Sequence, residues 1–403
     1  MKKILYISLT GMTEPLGRSQ VLEYLIELSQ TNKIYLLSFE REQDLVQIAD
    51  IEFLTKKNAI IWQYFNYSNK YGLFSSLLQI ITASYYGLRC VKSHKIESIH
   101  ARSLIPAIIG LILKKICGIG LLFDCRGFAV DEKLDSHRLK KKSFLFRILK
   151  KIDNTLYQQS SHIVTLTHRA KSILQQNLLI DEQRITVIPT CANRSIFKPL
   201  TALEKSLIKN SLGYKLTDKV IIHTGTVSAW YDFNSEVLLM KALMAIDERI
   251  FFLVLNKNEH EFIEKLINKH QLPKTRVSIK AVNFEQVYQY LNIASAAIFF
   301  IIPSYSKQAS APTKFAENVA CHVPSITNSG VGDMDFYMSQ YNVGYLVNTQ
   351  NLKDNYQHLA RNIIAYLNNI DNNTQDYEAL FTRYFDKKIA VAQYQKIYDH
   401  LLR

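Results

Sequence analysis

KILYISLTGMTEPLGRSQVLEYLIELSQ, residues 3–30, decides how the rest of the chain is read. A short apolar run passes into a loop bearing Gly11 and Gly17, and then Leu22, Leu25, Ile26 and Leu28 recur at near-helical spacing. This is strand, loop, helix. The same alternation continues through KIYLLSF (33–39), NAIIWQYF (58–65), SIHARS (98–103), GLLFDCRG (120–127) and SHIVTLT (161–167), each separated by a helix-length stretch. Short apolar runs without strict polar alternation predict strands buried on both faces, hence a parallel α/β sheet.

The pattern pauses at ITVIPTCANRSIFKP (185–199), where Pro189 and Pro199 bracket a stretch that reads as irregular. It restarts with KVIIHTGT (219–226), the helical SEVLLMKALMAI (235–246), and the strands IFFLVLN (250–256), RVSIKAV (276–282), AAIFFII (296–302) and VPSITN (323–328). At 403 residues the chain exceeds what one core usually supports. The expected organisation is a Rossmann-like domain over 1–195, a second over 196–380, and a C-terminal helix over 381–403 that packs on one of them. In that helix Ile389, Ala392, Tyr394 and Ile397 form the candidate apolar stripe.

The net charge of +14 is uneven: residues 1–199 carry 28 Lys and Arg against 16 Asp and Glu, and residues 200–403 carry 21 against 19. A basic half suits nucleic acid, an anionic membrane surface, acidic small molecules, or simply a solvated surface. No recognised nucleic-acid motif accompanies it, so nucleic acid is not an expected partner. The five cysteines lack paired spacing for zinc or disulfides, which fits a reducing compartment, and no metal ligand set is expected. The N-terminus shows no secretory signal. Gly72–Leu88 is free of charge yet rich in Ser, Thr and Gln, and Leu104–Leu113 is short and contains Pro106, so neither predicts a membrane span. In HRLKKKSFLFRILKK (137–151), Phe144, Ile148 and Ile152 share a helical face, so residues 137–152 read either as a helix lying on an anionic membrane or as an ordinary domain helix with solvated lysines.

Ligands of open parallel sheets bind outside the strands' carboxyl ends. Gly11 and Gly17, before the first helix, let backbone approach a phosphate or a sugar, or merely make a tight turn. HTGTVSAWYDFN (223–234) places Gly225 and Thr226 at a strand end, with Trp230 and Tyr231 either stacking on a base or sugar or packing in the core. SAPTKFAENVACHVPSITNSGVGD (310–333) puts Pro312 and Thr313 at a helix start, with Lys314 and Glu317 on one face. That pair either meets phosphate and ribose hydroxyls or forms an intrahelical ion pair. On the first domain, HARS (100–103) and FDCRGF (123–128) close short apolar runs, so His100, Arg102, Asp124 and Arg126 are expected to bind an acceptor or stabilise a departing phosphate, unless Asp124 and Arg126 pair structurally.

These stretches together resemble the family 4 glycosyltransferases of the GT-B fold, bacterial enzymes of lipopolysaccharide, capsule and related glycan synthesis. The carriers are GMTEPLGRSQVLEYL, HARS, FDCRGF, VIPTCANRSIFKP, HTGTVSAWY and APTKFAENVACHVPSITNSGVGD. The resemblance implies two Rossmann-like domains facing each other across a cleft. It also implies a retaining, metal-independent transfer from a nucleotide-sugar co-substrate, with no other cofactor, to a glycan or lipid-linked acceptor. The location implied is cytoplasmic, with peripheral contact at the inner membrane face. In this frame Gly11, Gly17, Gly225, Thr226, Trp230, Tyr231, Pro312, Thr313, Lys314 and Glu317 hold the donor. Asp124, Arg126 and His100 are the catalytic candidates, and Arg18, Arg102 and Ser103 bind the acceptor. Of the family's two glutamates eight positions apart, Glu317 matches the second and Ala309 stands in the first's place. Ser228, Ala229, Trp230 and Tyr231 stand where the family's basic pair holds the diphosphate. The resemblance implies a UDP-hexose donor, whereas these departures favour a CMP-linked acidic sugar, which needs less positive charge, as the alternative, and a non-catalytic sugar-binding partner as the third reading. A two-domain epimerase or a phosphorylase is the rival enzyme class.

Overall fold

In a computed structural model of the chain, residues 1–68, 70, 72–348, 355–370 and 374–401 are described. The chain forms two compact units. The first comprises Met1–Pro189, Tyr305–Ser310 and Lys387–Arg403, and the second comprises Thr190–Ser304 and Ala311–Asp386. This division departs from the sequence expectation in three places. The chain leaves the first unit at Pro189, returns to it for Tyr305–Ser310, and re-enters it for good only at Lys387.

The first unit holds a parallel sheet of strands β1 (Lys2–Ser8), β2 (Asn32–Glu40), β3 (Ile61–Asn66), β4 (Ser98–Arg102), β5 (Gly120–Asp124), β6 (His162–Thr165) and β7 (Ile185–Val187). Its spatial order is β3-β2-β1-β4-β5-β6-β7. The order reverses between β1 and β4, so a crevice opens at their carboxyl ends. Register brings Ser8 beside Arg102, and Arg102 beside Asp124, across three adjacent strands. Ile4, Leu5 and Ile7 of β1, and Ile99 and Ala101 of β4, are buried as expected of strands covered on both faces. The stretch read as irregular from Ile185 begins instead with β7, because its first three residues pair with Ile163–Thr165 at the sheet edge.

The second unit repeats the plan with β8 (Lys219–Thr224), β9 (Ile250–Leu255), β10 (Val277–Lys280), β11 (Ala296–Ile298), β12 (Ser325–Asn328) and β13 (Gly344–Val347), in the order β10-β9-β8-β11-β12-β13. Here the switch lies between β8 and β11. Strand β11 is shorter than its apolar run. After Ile298 the backbone leaves the ladder, and Ile301 exchanges hydrogen bonds with the Asn328 side chain instead, at 2.8 and 2.9 Å.

The last helix, Lys387–Leu401, belongs to the first unit; residues 402–403 of the expected helix lie outside the described residues. Its buried side is Ala390, Tyr394, Ile397 and Tyr398, whereas Ala392, expected in the stripe, is exposed. The i, i+4, i+7, i+8 spacing of the observed set holds one face, and Ala392 falls off it. The basic stretch 137–152 is helical only from Phe144. Leu149 and Ile152 pack against the first core, leaving Phe144 and Ile148 outward. Among the described residues, no helix is long and apolar enough to cross a membrane.

Candidate functional site

In the second unit, β8 ends in a turn that only glycine adopts without strain, since Gly225 has φ +85°. The turn is held from both sides. His223 is fully buried, with Nδ1 2.7 Å from Glu236 and Nε2 3.0 Å from the Thr226 carbonyl. Opposite, Glu259 accepts from Thr226 Oγ1 at 2.8 Å, the Val227 amide at 3.0 Å and Asn256 Nδ2 at 2.8 Å. Burial alone raises the Glu259 pKa, but bonds from Ser228, Asn256, Val227 and Thr226 outweigh it and draw it down to about 2. Glu259 is thus a fixed anion that pins the glycine turn.

The helix Thr313–Ala320 follows Pro312 directly. Phe315, Ala316, Val319 and Ala320 seat it in the second core, which fixes Lys314 and Glu317, one turn apart, relative to the glycine turn. Lys314 is 9% exposed, and its Nζ has no hydrogen-bond partner among the described residues. It lies 3.8 Å from the Tyr231 ring centroid, and a methyl group built on Gly225 would stand 4.0 Å from it. No ion pair joins Lys314 to Glu317 among the described residues, so the intrahelical pair does not form. Burial lowers the Lys314 pKa to about 8 against the pull of Glu236, Glu317 and Glu259. Half-buried Glu317 is pushed up to about 7 by burial, with Lys314 opposing. A buried cation facing a glycine turn without an acceptor is a site prepared for an anion. Trp230 and Tyr231 both pack against the second core, and Tyr231 also forms the floor beneath the ammonium.

In the first unit, Asp124 lies at the carboxyl end of β5, fully buried, with Arg102 Nη1 and Arg126 Nη1 each at 3.4 Å and His100 Nε2 at 3.6 Å. Two tyrosines of the last helix cover the group. Tyr394 donates to Asp124 at 3.3 Å, and the Tyr398 hydroxyl lies 2.7 Å from His100 Nδ1. His100 also lies against the Tyr6 ring, at a centroid distance of 4.3 Å. Burial by itself raises the Asp124 pKa, yet Arg126, His100 and Arg102 hold it below the usual carboxylate range, and burial lowers that of His100. His100, Arg102, Asp124 and Arg126 are therefore brought together, with His100 and Asp124 shielded. Arg126 keeps an edge on a cavity of about 110 Å³ that Ser103, Cys125, Glu132 and Asp153 also line.

Gly11 and Gly17 serve close packing in the first loop. A Cβ on Gly17 would stand 1.8 Å from the Gly11 carbonyl oxygen, and one on Gly11 would stand 2.4 Å from Glu40 Oε2. Buried Glu40 accepts from the Met12 and Thr13 amides at 2.9 and 3.0 Å and so fixes this loop. Arg18 stands half-buried just beyond it.

The family model for Glycosyltransferase Family 4 matches residues 42–195, and that for Glycosyl transferases group 1 matches residues 204–378. The chain belongs to the family 4 glycosyltransferases of the GT-B fold. Solved structures agree on the fold. A glycosyltransferase from Rickettsia africae superimposes with TM-score 0.71 at 17% identity, covering 100% of this chain and 99% of its own. HepE from Anabaena, solved with UDP and glucose, gives TM-score 0.72 at 15% identity, covering 99% and 100%. WaaB, a lipopolysaccharide outer core galactosyltransferase in its apo form, gives 0.66 at 12% identity and 98% of each chain. No curated protein matches the chain in sequence.

Four residues that support this glycosyltransferase's glycine turn, His223, Glu236, Asn256 and Glu259, are missing from the sequence reading. A signal for two of them was present. Asn256 ends the apolar run of β9, and Glu259 follows three positions later at the mouth of a helix, where the switch-point rule places ligand-side residues. The buried pair His223–Glu236 carries no such signal, since a histidine inside a strand reads as core. The absence of the family's first glutamate also gains a physical setting. Ala309 is 1% exposed in the first unit's core, in the segment anchored by Lys307 to Glu132 at 2.7 Å and by Thr167 to the Gln308 carbonyl at 2.8 Å.

Proposed function

We propose that this glycosyltransferase moves a hexose from a UDP-linked donor to a glycan or lipid-linked acceptor, with retention and without a resident metal. The pathway assigned is surface-glycan synthesis of the lipopolysaccharide or capsule type, on the cytoplasmic side. The observation that carries the reading is the Lys314 ammonium, buried, without a hydrogen-bond partner among the described residues, and facing the Gly225 turn. A donor phosphate supplies the missing acceptor. Glu317, one helical turn on, accepts ribose hydroxyls; Thr226, Trp230, Tyr231, Pro312 and Thr313 shape the rest of the donor side. On the first unit the acceptor side falls to Arg18, Arg102, Ser103 and Arg126, with His100 and Asp124 fixing the guanidinium groups behind them.

In the transfer, the bond from the sugar's anomeric carbon to the phosphate oxygen breaks, and a bond to the acceptor oxygen forms on the same face. The acceptor's proton passes to the departing phosphate oxygen. Lys314 neutralises the charge that grows there, which is the task a metal performs elsewhere. That HepE is solved with UDP and glucose supports the nucleotide assignment. With Ser228, Ala229, Trp230 and Tyr231 in place of the family's basic pair, Lys314 supplies the positive charge beside the turn, which favours a second reading, a CMP-linked acidic sugar, because a single phosphate needs less positive charge.

Calorimetric titration with UDP, UDP-glucose and CMP tests both readings. Wild type is expected to bind UDP-glucose, and Lys314→Met to lose about 100-fold in affinity, the usual worth of a charge-assisted bond to phosphate. The same variant should melt higher than wild type when unliganded. The ammonium's pKa falls from its ordinary value to about 8, and this represents about 3 kcal/mol of strain that Met removes. Unchanged nucleotide affinity in Lys314→Met would remove the basis of the assignment. Binding of CMP in preference to UDP would transfer it to the second reading, and absence of donor hydrolysis and transfer alike would point to a non-catalytic partner.

A further inference from the structure

The helix Leu73–His94 in the first unit packs Ile80, Leu88 and Val91 toward the core yet leaves a run of large apolar side chains outward. Its inward side is Ser75, Gln79, Ala83, Gly87 and Val91, spaced four apart and buried. The packing is close at Gly87, where a Cβ would stand 2.8 Å from Leu113 of the neighbouring helix Leu104–Cys117. Outward stand Phe74, Leu77, Leu78, Ile81 and Tyr85, between 53% and 68% exposed. Their steps of three and four positions hold them on one face over about 17 Å of helix. A water-facing surface gains nothing from such a stripe, and contiguous exposed apolar surface marks a binding face.

Charge identifies the occupant. The helix contains no Asp or Glu, and its last turns bring Arg89 and Lys92, followed by Lys95, all exposed. The Arg89 guanidinium lies 6.0 Å from the Tyr85 ring centroid, so the cations begin where the apolar stripe ends. Crossover helices run back along a parallel sheet, so the apolar first turns lie at the strands' carboxyl ends, the ligand side of this unit.

We infer that this stripe seats the protein on an anionic lipid bilayer. Phe74, Leu77, Leu78, Ile81 and Tyr85 enter the boundary between headgroups and acyl chains, and Arg89, Lys92 and Lys95 meet the lipid phosphates. The helix lies in the interface and does not span it. This shifts the lipid contact away from residues 137–152, whose helix spends Leu149 and Ile152 on the protein core and leaves only Phe144 and Ile148 of its apolar face outward.

Vesicle flotation of the full-length protein tests the inference without using the donor site. Wild type is expected to float with vesicles of phosphatidylethanolamine and phosphatidylglycerol, and less with phosphatidylcholine alone. The double variant Leu78→Glu/Ile81→Glu should lose about tenfold or more in partitioning, because two buried apolar chains are replaced by charges. Arg89→Ser/Lys92→Ser should lose only the preference for anionic vesicles, and Phe144→Glu should float as wild type. A nucleotide thermal shift equal to wild type in each variant shows that the fold and donor site are intact. Flotation of Leu78→Glu/Ile81→Glu equal to wild type, or no flotation of wild type, overturns the inference. So does a wild-type dimer in sedimentation that this double variant converts to monomer, since a second copy would then cover the stripe.

Discussion

Lys314 and Glu317 are both held away from their ordinary ionisation, and in opposite directions. The ammonium is present below pH about 8 and lost above it, while the carboxylate is present above pH about 7 and lost below it. Donor capture that needs both charges therefore has a narrow window. The expected kcat/KM profile for the donor rises toward pH about 7 and falls beyond about 8. Lys314→Arg should carry the falling limb to higher pH, because guanidinium stays charged, and Glu317→Gln should flatten the rising limb. Steady-state rates across pH 5–10 check this, and limbs that stay in place in both variants would dissociate the pair from donor capture. These two residues were legible because APTKFAEN encodes a helix start with two charges one turn apart. Their separation was not, because it depends on the Tyr231 ring drawing the ammonium aside, and no local pattern reports that contact.

The strands and their order of appearance follow from apolar runs, since strands buried on both faces need no alternation to be seen. The short edges were harder. Four-residue β13 and three-residue β7 carry too few residues for a pattern and exist through pairing with β12 and β6. The last helix shows what local reading misses at this scale. Its Tyr394 and Tyr398 complete a polar cluster built from β4 and β5, some 270 to 298 positions earlier in the chain. The hydroxyl of Tyr398 is the partner of His100 Nδ1, at 2.7 Å in a buried setting. Tyr398→Phe leaves that nitrogen unpaired without opening a cavity, so denaturant unfolding should show a loss of about 1–2 kcal/mol. Tyr398→Ala adds a cavity and should cost about 3–5 kcal/mol. Equal losses in the two variants would mean that the ring's volume is immaterial and the hydroxyl accounts for the whole effect.

At the scale of the molecule, the chain passes between its two units four times, and the first unit is assembled from three separate segments. The second unit contains every residue of the glycine turn, its supports and the Lys314 helix, whereas the first depends on Lys387–Leu401 for Tyr394, Tyr398 and the pairing of Lys387 with Glu23 and Glu27 at 3.3 and 2.8 Å. A chain ending at Asp386 therefore has an asymmetric fate. It loses the cover over Tyr6, His100 and Asp124, exposing a carboxylate and two guanidinium groups on what was a buried face, while the second unit's cores lose nothing. The first unit should unfold at lower denaturant, by several kcal/mol if the buried Ala390, Tyr394, Ile397 and Tyr398 count at their usual worth. Nucleotide affinity should stay within about threefold of wild type, because the groups proposed to meet the phosphate are all retained. Hydrogen exchange separates the two outcomes: faster exchange in β1, β4 and β5 with unchanged protection by nucleotide around Gly225 and Lys314 is expected. Loss of nucleotide protection in the truncated chain would show that the donor site depends on the first unit's integrity.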